Sequence, residues 1–135
     1  MSGSAPLIAL VDDDAAHVLL VGLFLESEGF QTVHCFHAHD ALDLIDHQQP
    51  GLVLLDLQME ERDSGLRILQ ALRRAPSTRA TPVILCSADI LFLHEQENDI
   101  RSLGADIVAK PVCFDTLLCK VRDALHPLQV KELGA

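Results

Sequence analysis

The feature that most constrains the fold of this chain is the alternation of short apolar runs with longer segments of mixed polarity. The apolar runs are typical of strands buried on both faces of a sheet, and the longer segments place apolar residues at helical spacing. The predicted strands are Leu7–Val11, Gln31–Phe36, Leu52–Leu55, Pro82–Cys86 and Ile107–Ala109. The predicted helices are Ala15–Glu28, Ala38–His47, Ser64–Ala75, Leu91–Leu103 and Phe114–Leu125.

Strict alternation of strand and helix predicts an α/β fold, a doubly wound five-stranded parallel sheet with five helices on its two faces. The 135 residues suit one domain. We place that domain at residues 6–126, with terminal tails at 1–5 and 127–135. Ligands of such folds bind outside the carboxyl ends of the strands, so those ends are where functional residues are expected.

Charge and hydropathy exclude several classes of partner. The formal net charge is −10, which disfavours direct binding to nucleic acid because phosphate contacts draw on clustered Lys and Arg. The longest apolar runs fall well short of the roughly 20 residues that span a bilayer. The first residues also lack the basic and apolar regions of a signal peptide. We therefore expect a cytoplasmic protein without membrane or nucleic-acid contacts.

Ionisable and hydroxyl residues follow four of the five predicted strands. Asp12 and Asp13 follow the first strand, Asp56 the third, Ser87 the fourth and Lys110 the fifth. Three converging carboxylates repel one another, and a hard cation such as Mg²⁺ would compensate their charge. With Mg²⁺ present, Asp56 can attack a phosphoryl group to form an aspartyl phosphate. Lys110 and Ser87 can then contact the phosphoryl oxygens.

The segments that carry these residues resemble the receiver domains of bacterial response regulators. The resemblance covers roughly residues 6–126 and implies a flavodoxin-like sheet with strand order 2-1-3-4-5. It rests on five pieces in family order, which are Leu10–Asp14, Leu54–Met59, Val83–Ala88, Gly104–Asp106 and Lys110–Pro111.

The resemblance implies a role for each matching residue. Asp56 would be the phosphorylation site, Asp13 a direct ligand of Mg²⁺, and Asp12 a ligand acting mainly through water. The backbone carbonyl of Gln58 would be a further metal ligand.

The same resemblance makes Ser87 the switch hydroxyl and Lys110 the phosphate contact, with a cis peptide bond before Pro111. Such a domain is a signalling module and not an enzyme, beyond its own phosphorylation and dephosphorylation. The implied partners are a histidine kinase or a histidine phosphotransfer protein, and a second copy of the chain is a further candidate.

Three departures from the family pattern change what is expected. After Met59 the usual proline is missing, and the loop is one residue longer and more acidic. Ile107 replaces the usual aromatic switch residue, and Val112 replaces the Phe that normally follows Lys-Pro. A switch based on ring rotation cannot operate here, so the conformational readout must differ.

Two other functions compete with a phosphorylated receiver. One is a degenerate receiver that acts as an interaction scaffold without being phosphorylated. The other is a phosphatase of the haloacid dehalogenase type, with Asp12 as nucleophile and Asp14 as acid/base. The phosphatase hypothesis leaves Asp56 without a purpose. A metal site formed by the crowded His34, His37 and His39 would need further ligands, and a solvated loop is the simpler interpretation.

The first predicted helix has no formally charged residue from Ala15 to Leu25. Leu19 and Leu23 fall on one side of it, and Val18, Val21 and Leu25 fall well around from them. We expect one group to face solvent or a partner, and exposure of Val18, Val21 or Leu25 would indicate a docking surface. The alternative is that neighbouring helices or the tail Leu128–Leu133 cover them.

The fourth predicted helix begins beside four consecutive apolar residues. Phe92 and Leu93 share a face with Ile100 and Leu103, whereas Ile90 and Leu91 point away from it. An irregular first turn would bury them, and an apolar partner surface next to Ser87 is the functional alternative.

Overall fold

The computed structural model describes residues 5–126 of the chain. They form a five-stranded parallel sheet in the order β2-β1-β3-β4-β5, so the predicted fold class and strand order are confirmed. The strands are β1 Leu7–Val11, β2 Gln31–Cys35, β3 Leu52–Asp56, β4 Val83–Ser87 and β5 Asp106–Ala109. The helices are α1 Ala15–Ser27, α2 Ala38–Gln48, α3 Ser64–Arg74, α4 Ile90–Ser102 and α5 Phe114–Leu125.

The observed ends of the elements differ from the predicted ends by one residue at most. The differences that matter for the site are in β3 and β4, which run on through Asp56 and Ser87. Asp56 pairs with Cys86, and Ser87 pairs with Ala109. Asp56 and Ser87 are therefore the last paired residues of their strands, and the pairing holds their positions better than a loop would.

The core has two layers, one on each face of the sheet. Helices α1 and α5 cover one face and α2, α3 and α4 cover the other. Strands β3 and β4 are buried along their whole length, as expected for the central strands of a parallel sheet. None of the helices in residues 5–126 is long and apolar enough to cross a membrane.

Of the two groups of apolar residues on α1, one is exposed, as expected, and the buried one is Val18, Val21 and Leu25. Val18, Val21 and Leu25 pack into the core, so the docking hypothesis tied to their exposure was wrong. Gly22 lies on the same buried side, where a Cβ would be 3.5 Å from Leu10 Cδ1, an ordinary contact distance. The tail residues 128–133 lie outside the described part of the chain.

The opposite side of α1 carries the exposed apolar residues. The exposed fractions of Leu19, Leu20 and Leu23 are 65%, 57% and 58%. Together with the exposed Ala15 and Ala16 they form an uncharged face, which we name the α1 surface.

The prediction for the start of α4 is confirmed. Phe92, Leu93 and Ile100 are buried, whereas Ile90 and Leu91 are 64% and 67% exposed. Helix α4 begins in a regular first turn, because the Asp89 carboxylate accepts a hydrogen bond from the Phe92 N–H. Ile90 and Leu91 therefore form a second exposed apolar surface, which we name the α4 surface.

Candidate functional site

Three carboxylates meet at the carboxyl edge of the sheet. One oxygen each from Asp12, Asp13 and Asp56 lies within 4.8 Å of the other two. Asp12 and Asp56 are buried and Asp13 is exposed, so the cluster opens to solvent on the Asp13 side. Gln58 lies beside it, with its N–H donating to Asp56 Oδ1 at 3.3 Å. An oxygen set of this kind could hold a divalent cation.

Lys110 joins the two buried carboxylates. Its Nζ donates to Asp12 Oδ2 at 2.8 Å and lies 3.5 Å from Asp56 Oδ2. Burial acts to lower the pKa of Lys110, but the hydrogen bond to Asp12 and the charge of Asp56 outweigh it and raise the pKa. The Lys110 N–H donates to the Ser87 carbonyl, and the Lys110–Pro111 peptide bond is cis, as the resemblance implied.

One lysine does not balance the charge of the cluster. Burial and the nearby charge of Asp12 raise the pKa of the Asp56 carboxyl to about 7, with Lys110 acting in the opposite direction. Asp56 is therefore destabilised in its charged form, and a bound cation would relieve that destabilisation.

Ser87 stands at the end of β4, next to the strand that carries Asp56. It is buried, and its Oγ accepts a hydrogen bond from the Asp89 N–H at 3.0 Å. The hydroxyl accepts in this bond and therefore keeps its own proton as a donor. The neighbouring Cys86 is no nucleophile, because burial raises the pKa of its thiol to about 12.

Gly65 fixes the distance between α3 and the acceptor strand. Its N–H donates to the Leu57 carbonyl at 2.8 Å. A Cβ at this position would overlap the Asp56 carbonyl oxygen and would lie 2.7 Å from Leu57 Cα. Only glycine allows this close approach. The loop between β3 and α3 therefore has to bring the chain back to the end of β3 at Gly65, although this loop is one residue longer than usual.

One of the additional acidic residues in the loop between β3 and α3, Glu60, points away from the carboxylate cluster and toward α2. Both oxygens of Glu60 accept from the Ala38 N–H at 3.2 Å, and Glu60 Oε2 lies 3.5 Å from His37 Nδ1. Glu60 therefore caps α2, whose N-cap residue His37 makes no side-chain cap of its own. Among the described residues, the histidines join no group with metal-binding geometry, and His37 and His39 are exposed.

Two residues near the site were missed by sequence reasoning. His17, in the first turn of α1, places Nε2 3.9 Å from Asp12 Oδ2. It lines a small cavity of about 20 Å³ that also borders Asp12, Asp56 and Val112. The second is Asp89, which contacts Gln58 across two loops. The position of His17 one turn after the acidic loop was an available signal, whereas no sequence pattern indicated the contact made by Asp89.

The fold and the site together define a doubly wound α/β protein with an acidic, lysine-containing site at the carboxyl edge of its sheet. The chain belongs to the response regulator receiver domain family, whose sequence profile matches residues 8–122. Receiver domains are signalling domains of two-component systems and are generally not enzymes. This membership removes the basis for the phosphatase hypothesis, and Asp14 instead caps α1 by accepting from the His17 N–H.

The chain is similar to regulators of different lengths. It is 30% identical over 132 residues to the phosphate regulon transcriptional regulatory protein PhoB of Klebsiella pneumoniae, a match that covers 93% of this chain and 56% of PhoB. The chain thus spans about half the length of that relative. It is 29% identical over 119 residues to the polar-differentiation response regulator DivK of Brucella anthropi, covering 87% of this chain and 94% of DivK.

A solved structure shows the same architecture. The receiver domain of NtrX from Brucella abortus superposes with a TM-score of 0.77 at 31% sequence identity. The superposition covers 87% of this chain and 97% of that one.

Proposed function

We propose that this chain, as a receiver domain spanning residues 6–126, accepts a phosphoryl group on Asp56 in a Mg²⁺-dependent reaction and signals by protein contact. The observation that carries the proposal is the placement of a buried Asp56 3.5 Å from Lys110 and within 4.8 Å of two further carboxylates. A nucleophile, a countercharge and a cation-binding set thus meet at one edge of the sheet.

The side chains divide the reaction among them. An Asp56 oxygen attacks phosphorus, a new O–P bond forms, and the bond from phosphorus to the donor's nitrogen or oxygen breaks. Lys110 moves from Asp12 toward the phosphoryl oxygens, and Ser87 donates its hydroxyl proton to another of them.

The metal would be held by Asp12, Asp13, Asp56 and the Gln58 carbonyl. It would neutralise charge on the transferring group. Because Ile107 has no aromatic ring, we propose that the conformational change reaches partners by a route other than ring rotation.

Treatment with acetyl phosphate and Mg²⁺ should add the mass of one phosphoryl group to the protein. Asp56→Asn should abolish the gain, and Asp13→Ala should slow it at limiting Mg²⁺, because Asp13 supplies charge to the cation. Intact mass spectrometry measures both outcomes.

Asp14→Asn is the matched control, since it also removes a carboxylate charge next to the site but keeps the cap of α1. It should be phosphorylated like the parent. A parent protein that gains no mass would instead support the unphosphorylated scaffold.

Receiver domains pair with histidine kinases, and we propose the α1 surface as the site where this chain meets a histidine kinase or a histidine phosphotransfer protein. The surface begins two residues after Asp13 and carries no charge from Ala15 to Leu23. An apolar patch of this kind beside the reacting carboxylate suits a partner that must bring its phosphohistidine close.

Leu20→Lys should lower the rate of transfer from a phosphorylated histidine kinase core by about tenfold or more, because it puts a charge into a desolvated contact. Labelling by acetyl phosphate should stay unchanged.

Leu91→Lys, on the α4 surface, is a control with similar exposure. We propose that this second surface contacts another copy of the chain, so Leu91→Lys should reduce self-association and leave transfer intact. Equal transfer to the parent and to Leu20→Lys would rule out the α1 surface.

A further inference from the structure

The side chain of Asp89 bridges the two loops that flank the phosphoryl site. It lies two residues after Ser87, in the turn between β4 and α4. Its Oδ1 accepts from the Phe92 N–H at 3.0 Å and so caps α4. Its Oδ2 accepts from Gln58 Nε2 at 3.2 Å, across 31 residues of sequence.

Arg62, which lies in the same β3–α3 loop as Gln58, makes a second contact with Asp89. Its guanidinium lies 3.5 Å from Asp89 Oδ2 and 4.2 Å from the centroid of the Phe92 ring. The Arg62 side chain is largely exposed, so its ion pair contributes little. The half-buried, charge-assisted bond from Gln58 is the stronger of the two contacts.

Both ends of the bridge continue into the site by backbone hydrogen bonds. The Asp89 N–H donates to Ser87 Oγ, and the Gln58 N–H donates to Asp56 Oδ1. Asp89 is thus connected on one side to the phosphate-contacting hydroxyl and on the other side to the acceptor carboxylate.

The loop after Asp56 needs such a tether. It lacks the proline that usually stiffens this loop in receivers, and it has one residue more. Between Gln58 and Ser64, the side-chain hydrogen bonds to described residues outside the loop and α3 are made by Glu60 with α2 and by Gln58 and Arg62 with Asp89. Of these hydrogen bonds, only the one from Gln58 to Asp89 holds the residue two positions after the acceptor.

We propose that Asp89 is a positioning residue that holds Gln58, and with it the start of the loop, in the geometry that binds the cation. This inference rests on the proposed function in taking Gln58 as a metal ligand. Asp89 itself touches neither the cation nor the phosphoryl group. Its role is to keep the backbone of Gln58 next to Asp56 while its other oxygen holds the first turn of α4.

Asp89→Asn separates these two tasks. Asn caps helices as well as Asp does, so the bond from the Phe92 N–H is kept. The amide NH₂ that replaces Oδ2 can bond to Gln58 only if the Gln58 amide turns its oxygen toward it, so the charge-assisted bond to a carboxylate is lost. We expect the dissociation constant for Mg²⁺ to rise about tenfold, the low end of the loss seen when a group that orients a metal ligand is removed. The midpoint of thermal unfolding should stay close to that of the parent.

The exchanged pair tests the contact itself. In Gln58→Glu with Asp89→Asn, carboxylate and amide trade places, so the hydrogen bond returns and the net charge is that of the parent. Mg²⁺ affinity should return to within about threefold of the parent, whereas Gln58→Glu alone sets two carboxylates against each other. Calorimetry suits the titration because the chain has no Trp or Tyr. Asp14→Asn controls for the loss of one nearby negative charge.

Hydrogen exchange without metal gives a readout independent of the cation. Amides of residues 58–63 should exchange faster in Asp89→Asn and return to the parent rate in the exchanged pair. Unchanged exchange together with parent-like Mg²⁺ affinity in Asp89→Asn would overturn the proposal. A parent that binds no Mg²⁺ would contradict the proposed metal site, and hydrogen exchange would then decide the role of Asp89 alone.

Discussion

Asp56→Asn should make the metal-free protein more stable at pH 8, by on the order of 2 kcal/mol in the free energy of unfolding. The parent buries the Asp56 carboxylate beside Asp12, with a single lysine shared between them. Asparagine has nearly the same shape, keeps an acceptor for the Gln58 N–H, and removes one of the two buried negative charges. The proposed acceptor of the phosphoryl group thus lowers the stability of the metal-free protein when it is charged.

The gain should depend on pH in a defined direction. Burial and the charge of Asp12 raise the pKa of Asp56 from 3.8 to about 7. Between these values the folded protein binds more protons than the unfolded chain, so the parent loses stability as the pH rises from about 4 to about 7. Asp56→Asn removes the titrating carboxyl group, so the variant does not lose this stability as the pH rises. The difference between the two proteins should therefore be small at pH 4, grow up to pH 7 and stay constant above it.

Urea unfolding in the presence of a chelator at several pH values measures this difference. Mg²⁺ should stabilise the parent and reduce the difference in the free energy of unfolding between the two proteins, because it binds the folded parent more tightly than the variant. Asp14→Asn, which neutralises an exposed carboxylate, should show no comparable gain. A variant less stable than the parent at pH 8 would show that the Asp56 charge is well compensated without metal.

Gly65→Ala should destabilise the protein by about 3 kcal/mol, in the upper range for overpacked sites. The added Cβ meets the backbone of Asp56 and Leu57, which cannot rotate away as a side chain would. Helix α3 must shift outward or β3 must distort, and either change moves the acceptor. Besides being less stable, the variant should be phosphorylated more slowly by acetyl phosphate than the parent.

Gly22→Ala is the matched control, since it is also a glycine within a helix that faces the sheet. Its Cβ would meet Leu10 Cδ1 at 3.5 Å and Thr32 Oγ1 at 3.8 Å, which are ordinary contacts. Because alanine favours helix over glycine by up to about 1 kcal/mol, this variant should be as stable as the parent or more stable. Thermal unfolding compares the two, and equal stability of both variants would refute the close approach at Gly65.

The sequence predicted the sheet because its strands are recognised by local pattern. Runs such as Leu52–Leu55 are short, apolar throughout and preceded by Pro50-Gly51, which is typical of a strand buried on both faces. The ends were less certain, because pairing with a neighbour decides whether a polar residue belongs to a strand. Asp56 and Ser87 continue β3 and β4 because Cys86 and Ala109 lie opposite them.

The orientation of α1 could not be predicted from periodicity. A helix with no charged residue from Ala15 to Leu25 lacks the contrast between polar and apolar sides that assigns a face. Packing of Val18, Val21 and Leu25 against β1 decides the orientation, and that packing exists only in the folded protein.

The residues of the site were predictable because each follows a strand, and parallel strands end at one edge. The contacts among the loops were not. The bond between Gln58 and Asp89 joins two side chains 31 residues apart, and neither residue type indicates the other. Glu60 was expected to add charge beside the cation, whereas the structure places it on the N-terminus of α2.

The central claim, that Asp56 is the phosphoacceptor, is tested most directly by chemical trapping of the phosphorylated residue. Borohydride reduces an aspartyl phosphate to homoserine, a mass change that peptide mapping can locate. After treatment with acetyl phosphate and Mg²⁺, we predict homoserine at position 56 and unmodified aspartate at positions 12, 13 and 14. Homoserine at position 12 with Asp56 intact, or no homoserine in a protein that binds Mg²⁺, would contradict the account.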